Sequence, residues 1–217
     1  MAGHIAVQAE LSGAGPVAVV DTDPQASLAD WWNERSETTP VFMRTSVANL
    51  TADIRRLREH GIKLLVIDTP PAITDTISEV VQVADLVVVP TRPSPHDLRA
   101  VGASVGLIEA LNKPLVFVVN AATPRAKVTS EVAIALSQHG TVAPSIVHHR
   151  IGFASSMTDG RTVMEIPGQA RAAAEIEELW AYLHGRLNKT FGKKVLLPFG
   201  EVLTAASRAF GCGQVRA

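Results

Sequence analysis

Four residues stand where their types and spacing could do chemistry: Asp21 and Asp23, two positions apart, then Asp68, then Asn120. Three of them close short aliphatic runs, Pro16-Val-Ala-Val-Val-Asp21, Lys63-Leu-Leu-Val-Ile-Asp68 and Leu115-Val-Phe-Val-Val-Asn120. Such runs are too short for helices and rich in β-branched residues, so they read as strands buried on both faces, as in the middle of a parallel sheet. Open α/β sheets bind ligands in the crevice outside the carboxyl ends of their strands, which makes a polar tip there a site candidate. The same carboxylates could instead cap the loops that leave the strands, and the spacing alone leaves both readings open. Neighbouring carboxylates are hard oxygen ligands that suit Mg²⁺, usually through its retained waters, and Mg²⁺ in turn suggests phosphates. Asp23 could orient an attacking water or the metal, yet standing before Pro24 it also fits a helix N-cap with proline at the first helical position.

The elements that must position these residues alternate along the chain. Residues 1 to 12 read as a helix already under way, with no cap and no strand before it. After the Asp21 strand a helix carries Trp31 and Trp32, residues 40 to 45 form a short strand, and Asn49 to His60 makes an amphipathic helix through Leu50, Ile54 and Leu57. Beyond Asp68, Ile73 to Val83 is helical, Asp85 to Pro90 is a strand, and Ser94-Pro95-His96-Asp97 is a capping signal for a helix reaching about Asn112. Lys127 to His139 is the next helix, Thr141 to Val147 a weaker strand, Arg150 to Pro167 irregular, and Gln169 to Leu187 a last amphipathic helix. Strands separated by helices imply right-handed βαβ units, hence an α/β fold with a mostly parallel sheet and helices on both faces. Residues 1–189 read as one domain and 190–217 as a tail, loosely docked, in which Glu201 to Phe210 has room for about three helical turns.

Composition narrows the class. The 217 residues are 47% hydrophobic and 19% charged, with a net charge of -1, so bulk electrostatics name neither nucleic acid nor membrane as a partner. A lone cysteine, Cys212, excludes an internal disulfide framework or a cysteine-rich metal site. No run approaches spanning length and the start lacks a signal-peptide pattern, so the reading is soluble and cytoplasmic.

Read in order, Val-Val-Asp21-Thr-Asp23-Pro-Gln-Ala-Ser27, Leu-Val-Ile-Asp68-Thr-Pro-Pro, Ala84-Asp-Leu-Val-Val-Val-Pro90-Thr and Val-Val-Asn120 resemble successive signatures of the ParA/MinD family of deviant Walker ATPases. The match spans residues 1 to 187 and comes nearest the plasmid and chromosome partition ParA branch. The resemblance implies a P-loop NTPase-like, three-layer fold, ATP and Mg²⁺ as cofactors, a homodimer formed with ATP, non-specific DNA binding on the nucleoid, and hydrolysis stimulated by a ParB-like centromere-binding adaptor. By the same resemblance Asp68 would hold Mg²⁺ through water, Asp23 would serve in water activation and metal contact, Asn120 would meet the adenine edge, and Pro90 and Thr91 would lie in the loop near the dimer interface. Arg150, Gly160 and Glu165 resemble the segment before the family's last helix without an assigned role.

One departure outweighs these matches. The family opens with a strand and a Lys-Gly-Gly-x-Gly-Lys-Thr loop that cradles phosphates, and neither occurs here. The helix at residues 1 to 12 resembles the one that follows that loop, so the fold is expected to lack its first strand and the chain to hydrolyse ATP at a negligible rate. In the family that strand lies mid-sheet beside the Asp68 strand, and its loss would leave backbone groups unpaired there. Either the start is placed too late or this is a decayed copy; filling of the slot by Val195 to Phe199 is disfavoured by Pro198.

Other features read blandly. His148 and His149, adjacent on an extended segment, point opposite ways and suggest packing or solvent. Trp31 and Trp32 divide between core and surface. Arg161, Arg171, Arg186, Lys189, Lys193 and Lys194 could make a DNA-binding patch or a solvated face. The other function classes are a non-catalytic DNA- or partner-binding remnant, a MinD-like membrane-cycling ATPase, and an ATP-dependent synthetase.

Overall fold

Alternation within each aliphatic run decides which helices can cover it. The computed structural model describes residues 1–70, 75–190 and 201–206. Within β1 (Val17–Asp21) and β3 (Leu64–Thr69), Val17, Val19, Leu64 and Val66 turn to one face, and Ala18, Val20, Leu65 and Ile67 to the other. The first set packs under α1 (Ala2–Leu11), α2 (Ser27–Asn33) and α8 (Ala170–Thr190). The second meets α3 (Leu50–Glu59) and α4 (Asp75–Val83) through Leu50, Ile54 and Val80. On that same side, α5 (Pro95–Ala110) and α6 (Lys127–Ser137) cover Val87, Val89, Phe117 and Val119 of β4 (Leu86–Thr91) and β5 (Leu115–Ala122). Both faces of the sheet are thereby buried, the arrangement that makes continuous aliphatic runs necessary.

The strand order is β2-β1-β3-β8-β4-β5-β6, parallel throughout, with β2 (Val41–Phe42) and β6 (Thr141–Val142) at the edges. A further short strand, β7 (Val147–His148), pairs with the end of β5. Parallel pairing in this order sets Asp21 directly opposite Asp68 on neighbouring strands. The α/β class and the three-layer architecture are as expected.

Several expectations change. The slot beside the Asp68 strand is filled: β8 (Glu201–Ala206) lies between β3 and β4, with Asp68 opposite Ala205 and Val88 opposite the same residue. Glu201 to Ala206 is therefore strand and not helix, because a vacant ladder on both neighbours rewards extended backbone far more than three exposed helical turns would. Val195 to Phe199 and Ser207 to Phe210 lie outside the described residues. The single weak strand over 141 to 147 is two short ones broken at Pro144. The stretch after Arg150 is not wholly irregular, since α7 (Ile151–Ser156) and two 3₁₀ turns, Met157–Asp159 and Val163–Glu165, occupy it.

The capping signal at Ser94 holds. Ser94 caps α5 by accepting the Asp97 N–H at 3.1 Å, with Pro95 in the first turn. Helices α1 and α8 are tied at their polar margin, where Trp180 Nε1 donates to Ser12 Oγ at 2.8 Å.

Because β8 is hydrogen-bonded on both sides, Leu203→Pro should remove a ladder donor and cost about 3 kcal/mol, or roughly 6–12 °C in Tm for a domain of this size. A thermal melt followed by circular dichroism checks it. An unchanged Tm would place residues 201–206 outside the sheet.

Candidate functional site

The loop after β1 is built on Asp21. Its Oδ1 accepts the Asp23 N–H at 2.9 Å, and its Oδ2 accepts the N–H groups of Leu28 and Ala29, both at 3.0 Å. Asp21 thus supplies the acceptors that the first turn of α2 lacks, from outside the helix. This corrects the capping role read for Asp23 and Pro24. Helix α2 starts at Ser27, after Ala26 in the left-handed region at φ 54°, and Asp23 Oδ1 instead closes a short turn on the Gln25 N–H at 2.9 Å.

Asp68 is held differently. Its carbonyl accepts both the Thr22 N–H at 2.9 Å and the Thr22 hydroxyl at 2.7 Å, which fastens the β1 loop to the tip of β3. Its side chain is 92% buried by accessible area, leaving 8% exposed, and Oδ1 has no hydrogen-bond partner among the described residues. Burial raises the Asp68 carboxyl from its ordinary value to about 7; the amino group of Met1 opposes this, and the carboxylates of Asp21 and Asp23 add to it. A buried acid with an unused oxygen beside two further carboxylates is a site short of positive charge.

Asn120 comes to the same rim along β5. It pairs with Val147, Ala122 pairs with His148, and the intervening Ala121 is forced to φ 52°, a conformation costly for a residue with a Cβ. Such backbone strain tends to be kept at sites that need it.

These residues open on one cleft of about 750 Å³, a volume that suits a small ligand. Asp23, Asp68 and Asn120 all line it, as do Met1 to His4 at the start of α1. The N-terminal N–H groups of α1 have no side-chain cap, so a helix end with positive character faces the acidic rim. Pro90 and Thr91 end β4 at the same side of the sheet but are not among the cleft-lining residues; Thr91 is buried and its hydroxyl donates to the Val89 carbonyl at 3.3 Å. Among the described residues no three His, Cys, Asp or Glu side chains cluster to hold a metal directly. The donor set suits Mg²⁺ held by one or two carboxylates and its own waters, with Asp68 as the carboxylate whose oxygen is free to serve.

Sequence reasoning passed over three residues that shape the walls. His4 is buried on α1, its Nε2 lies 3.4 Å from Ser156 Oγ, and its ring meets Phe153 edge-on at 5.3 Å. Burial, with the nearby amino group, lowers its pKa to about 3, so it is neutral at pH 7. Arg35, whose side chain is 3% exposed, donates to both oxygens of Glu165, to the Gly160 carbonyl at 2.8 Å and to the Thr39 carbonyl at 2.7 Å. Gly160, at φ 73°, lets that backbone approach, since a Cβ there would lie 2.3 Å from Arg35 Cα. Glu165 and Gly160 therefore fix the 157–167 segment to the end of α2. Glu175 on α8 binds His148 and Arg150, which gives Arg150 a structural partner. Burial pushes the Glu175 carboxyl up, but the hydrogen bonds from Arg150 and His148 outweigh it and hold it below the usual range. Only a pairing across 130 or 25 positions reveals these contacts, and no local pattern marks them.

No protein-family model matches the chain. In sequence it resembles maintenance of carboxysome distribution protein A from Halothiobacillus neapolitanus, 25% identical over 178 residues that cover 78% of this chain and 82% of the relative. The protein of the same name from Gloeobacter kilaueensis is 42% identical over 92 residues, 42% of each chain. In fold it is similar to apo McdA of Cyanthece (TM-score 0.67, 13% identity, covering 88% of this chain and 93% of that one). It is also similar to a putative plasmid partition protein from Borrelia burgdorferi bound to AMPPNP (TM-score 0.65, 13% identity, 85% and 92%). The cell division ATPase MinD of Pyrococcus furiosus follows (TM-score 0.63, 13% identity, 85% and 94%). The fold is thus that of the ParA/MinD deviant Walker ATPases, and the resemblance drawn from the motifs holds. Among the described residues no helix is long and apolar enough to cross a membrane.

Two substitutions separate the roles of the aspartates. Asp21→Ala strands three N–H donors and should cost about 2–3 kcal/mol in urea denaturation, whereas Asp23→Ala should cost less than about 1 kcal/mol. Asp68 carries a pH signature. Its folded-state value lies above the ordinary one, so burying its charge costs nothing near pH 4 and progressively more up to about pH 7, then stays constant. Asp68→Asn should match the wild type near pH 4 and exceed it by roughly 2–4 kcal/mol at pH 8, and a pH-independent difference would contradict this.

Proposed function

We propose that the cleft takes a magnesium-bound adenine nucleotide, and that the chain is the nucleotide-binding body of a ParA-like positioning ATPase. The observation that carries the reading is the convergence of Asp23, Asp68 and Asn120 on one cleft at the start of α1. In this reading the unused oxygen of Asp68 holds the ion through water, Asp23 orients water and the ion, and Asn120 meets the edge of the base. The N–H groups of α1 face the phosphates, where a helix end favours negative charge. When bound, Mg²⁺ would neutralise phosphate charge and ease attack by water. Pro90 and Thr91, at the end of β4, stand near the surface that a second copy would cover in a dimer, with Thr91 itself buried.

Among the described residues no lysine lines the cleft; its one guanidinium, that of Arg150, is already bound to Glu175, so the lysine contacts of a glycine-rich phosphate loop have no counterpart there. Binding without appreciable turnover is the consequence. The second reading is a non-catalytic DNA- or partner-binding remnant, which would keep the dimer or DNA surface without nucleotide. The two sequence relatives are named for distributing carboxysomes, which puts positioning of an intracellular body ahead of plasmid or chromosome segregation as the cargo. A ParB-like adaptor and non-specific DNA, as partners of a cytoplasmic homodimer, complete the reading. Support for an adaptor comes from a MinC:MinD complex of Aquifex aeolicus with the same fold (TM-score 0.66).

Thermal shift with ATP tests it. With millimolar ATP the Tm should rise when Mg²⁺ is present and not when it is chelated, and Asp68→Ala should abolish the difference. Phosphate release should stay at the background rate. A Tm indifferent to Mg²⁺-ATP would overturn the nucleotide reading, and rapid turnover would overturn the role given to the missing loop.

A further inference from the structure

Glu175 stands on α8, behind the cleft wall, and both its oxygens are engaged with one short segment of that wall. Oε2 accepts the His148 backbone N–H at 3.0 Å. Oε1 meets His148 Nδ1 at 2.8 Å and accepts from Arg150 Nε at 3.1 Å and from its Nη2. The Glu175 side chain is 13% exposed, while Arg150 and His148 keep 29% and 28%. His148, His149 and Arg150 all line the cleft, so Glu175, itself outside the lining, holds two of three consecutive wall residues. His149 donates its backbone N–H to the Ala122 carbonyl at 2.9 Å, and it lines the cleft beside Asn120. The segment is thus held at three points, two on α8 and one on β5.

Asp68 gives the cleft an acidic group that suits a metal-bound phosphate, whereas Asn120 and His149, brought near each other by the pairing of β5 with 147–149, offer an amide and an imidazole, groups that recognise a planar heteroaromatic ring. We propose that Glu175 is a positioning residue: it touches no ligand, but by clamping His148 and Arg150 it pre-arranges the wall that takes the nucleoside ring. The inference rests on the nucleotide reading above. It assigns the ring half of the affinity to a carboxylate remote from the phosphates, through the reduced cost of ordering that wall on binding.

Ligand-observed NMR on the full chain tests it with two probes, adenosine and, separately, inorganic tripolyphosphate with Mg²⁺. Glu175→Gln keeps the side-chain size and removes the charge; it should weaken adenosine about tenfold and leave tripolyphosphate within about twofold. Glu175→Asp keeps the charge but shortens its reach to His148 and Arg150, should shift the same ratio by less, and serves if Glu175→Gln fails to fold. A merely structural role would weaken both probes together, and that result, or an unchanged ratio, would overturn the proposal. If the wild type binds neither Mg²⁺-ATP nor adenosine, the nucleotide reading falls and this one with it. If the wild type binds both and the ratio is indifferent to residue 175, only the role of Glu175 falls.

Discussion

A carboxylate kept out of water without a donor opposes folding, and the fold must outweigh that cost at Asp68. It does so by ordering backbone on both sides of it. Thr22 binds the Asp68 carbonyl from the β1 loop, and β8 pairs with β3 on the other flank, so the tip of β3 cannot turn outward to solvent. The same constraint reaches Asp21, which stands opposite Asp68 and adds to the pressure on its charge, while its own oxygens accept backbone N–H groups at the start of α2. Two neighbouring acids thus have separate duties: one builds the loop, and the other faces the cleft.

The walls follow from this division. Asp21 fixes the start of α2 through backbone N–H groups, while two ion pairs between distant residues, Arg35 with Glu165 and Arg150 with Glu175, fix the end of α2 to the 157–167 segment and hold the 147–150 segment. Buried ion pairs contribute little net stability against apolar packing of the same volume, but breaking one strands a charge, which gives them directional value. The apolar layers on either face carry the stability, and the two ion pairs together with Asp21 orient the rim.

Much of this was legible in the residues. Aliphatic runs ending in Asp21, Asp68 and Asn120 announced parallel strands and a common rim, because sheets buried on both faces demand continuous hydrophobicity. Ser94 and Pro95 announced α5 because capping is local chemistry. What stayed hidden was non-local. Residues 201–206 carry no pattern stronger than a short helix would, and only the open ladder between β3 and β4 decides for strand. Asp23 ahead of Pro24 looked like a cap because the local pattern allows it, yet Asp21 was near enough to take the helix N–H groups first. Arg35, His4 and Glu175 looked like ordinary helix residues, since their partners lie far along the chain.

The proposed function requires that the rim gather a divalent cation at Asp68. Paramagnetic broadening of backbone amide signals by Mn²⁺, with ATP present, tests that most directly. It predicts that the amides of Asp23, Asp68, Asn120 and the first turn of α1 broaden together at low Mn²⁺, ahead of the rest of the chain. Broadening centred elsewhere, at the exposed His60 or His139 for example, with those four places unaffected, would contradict it.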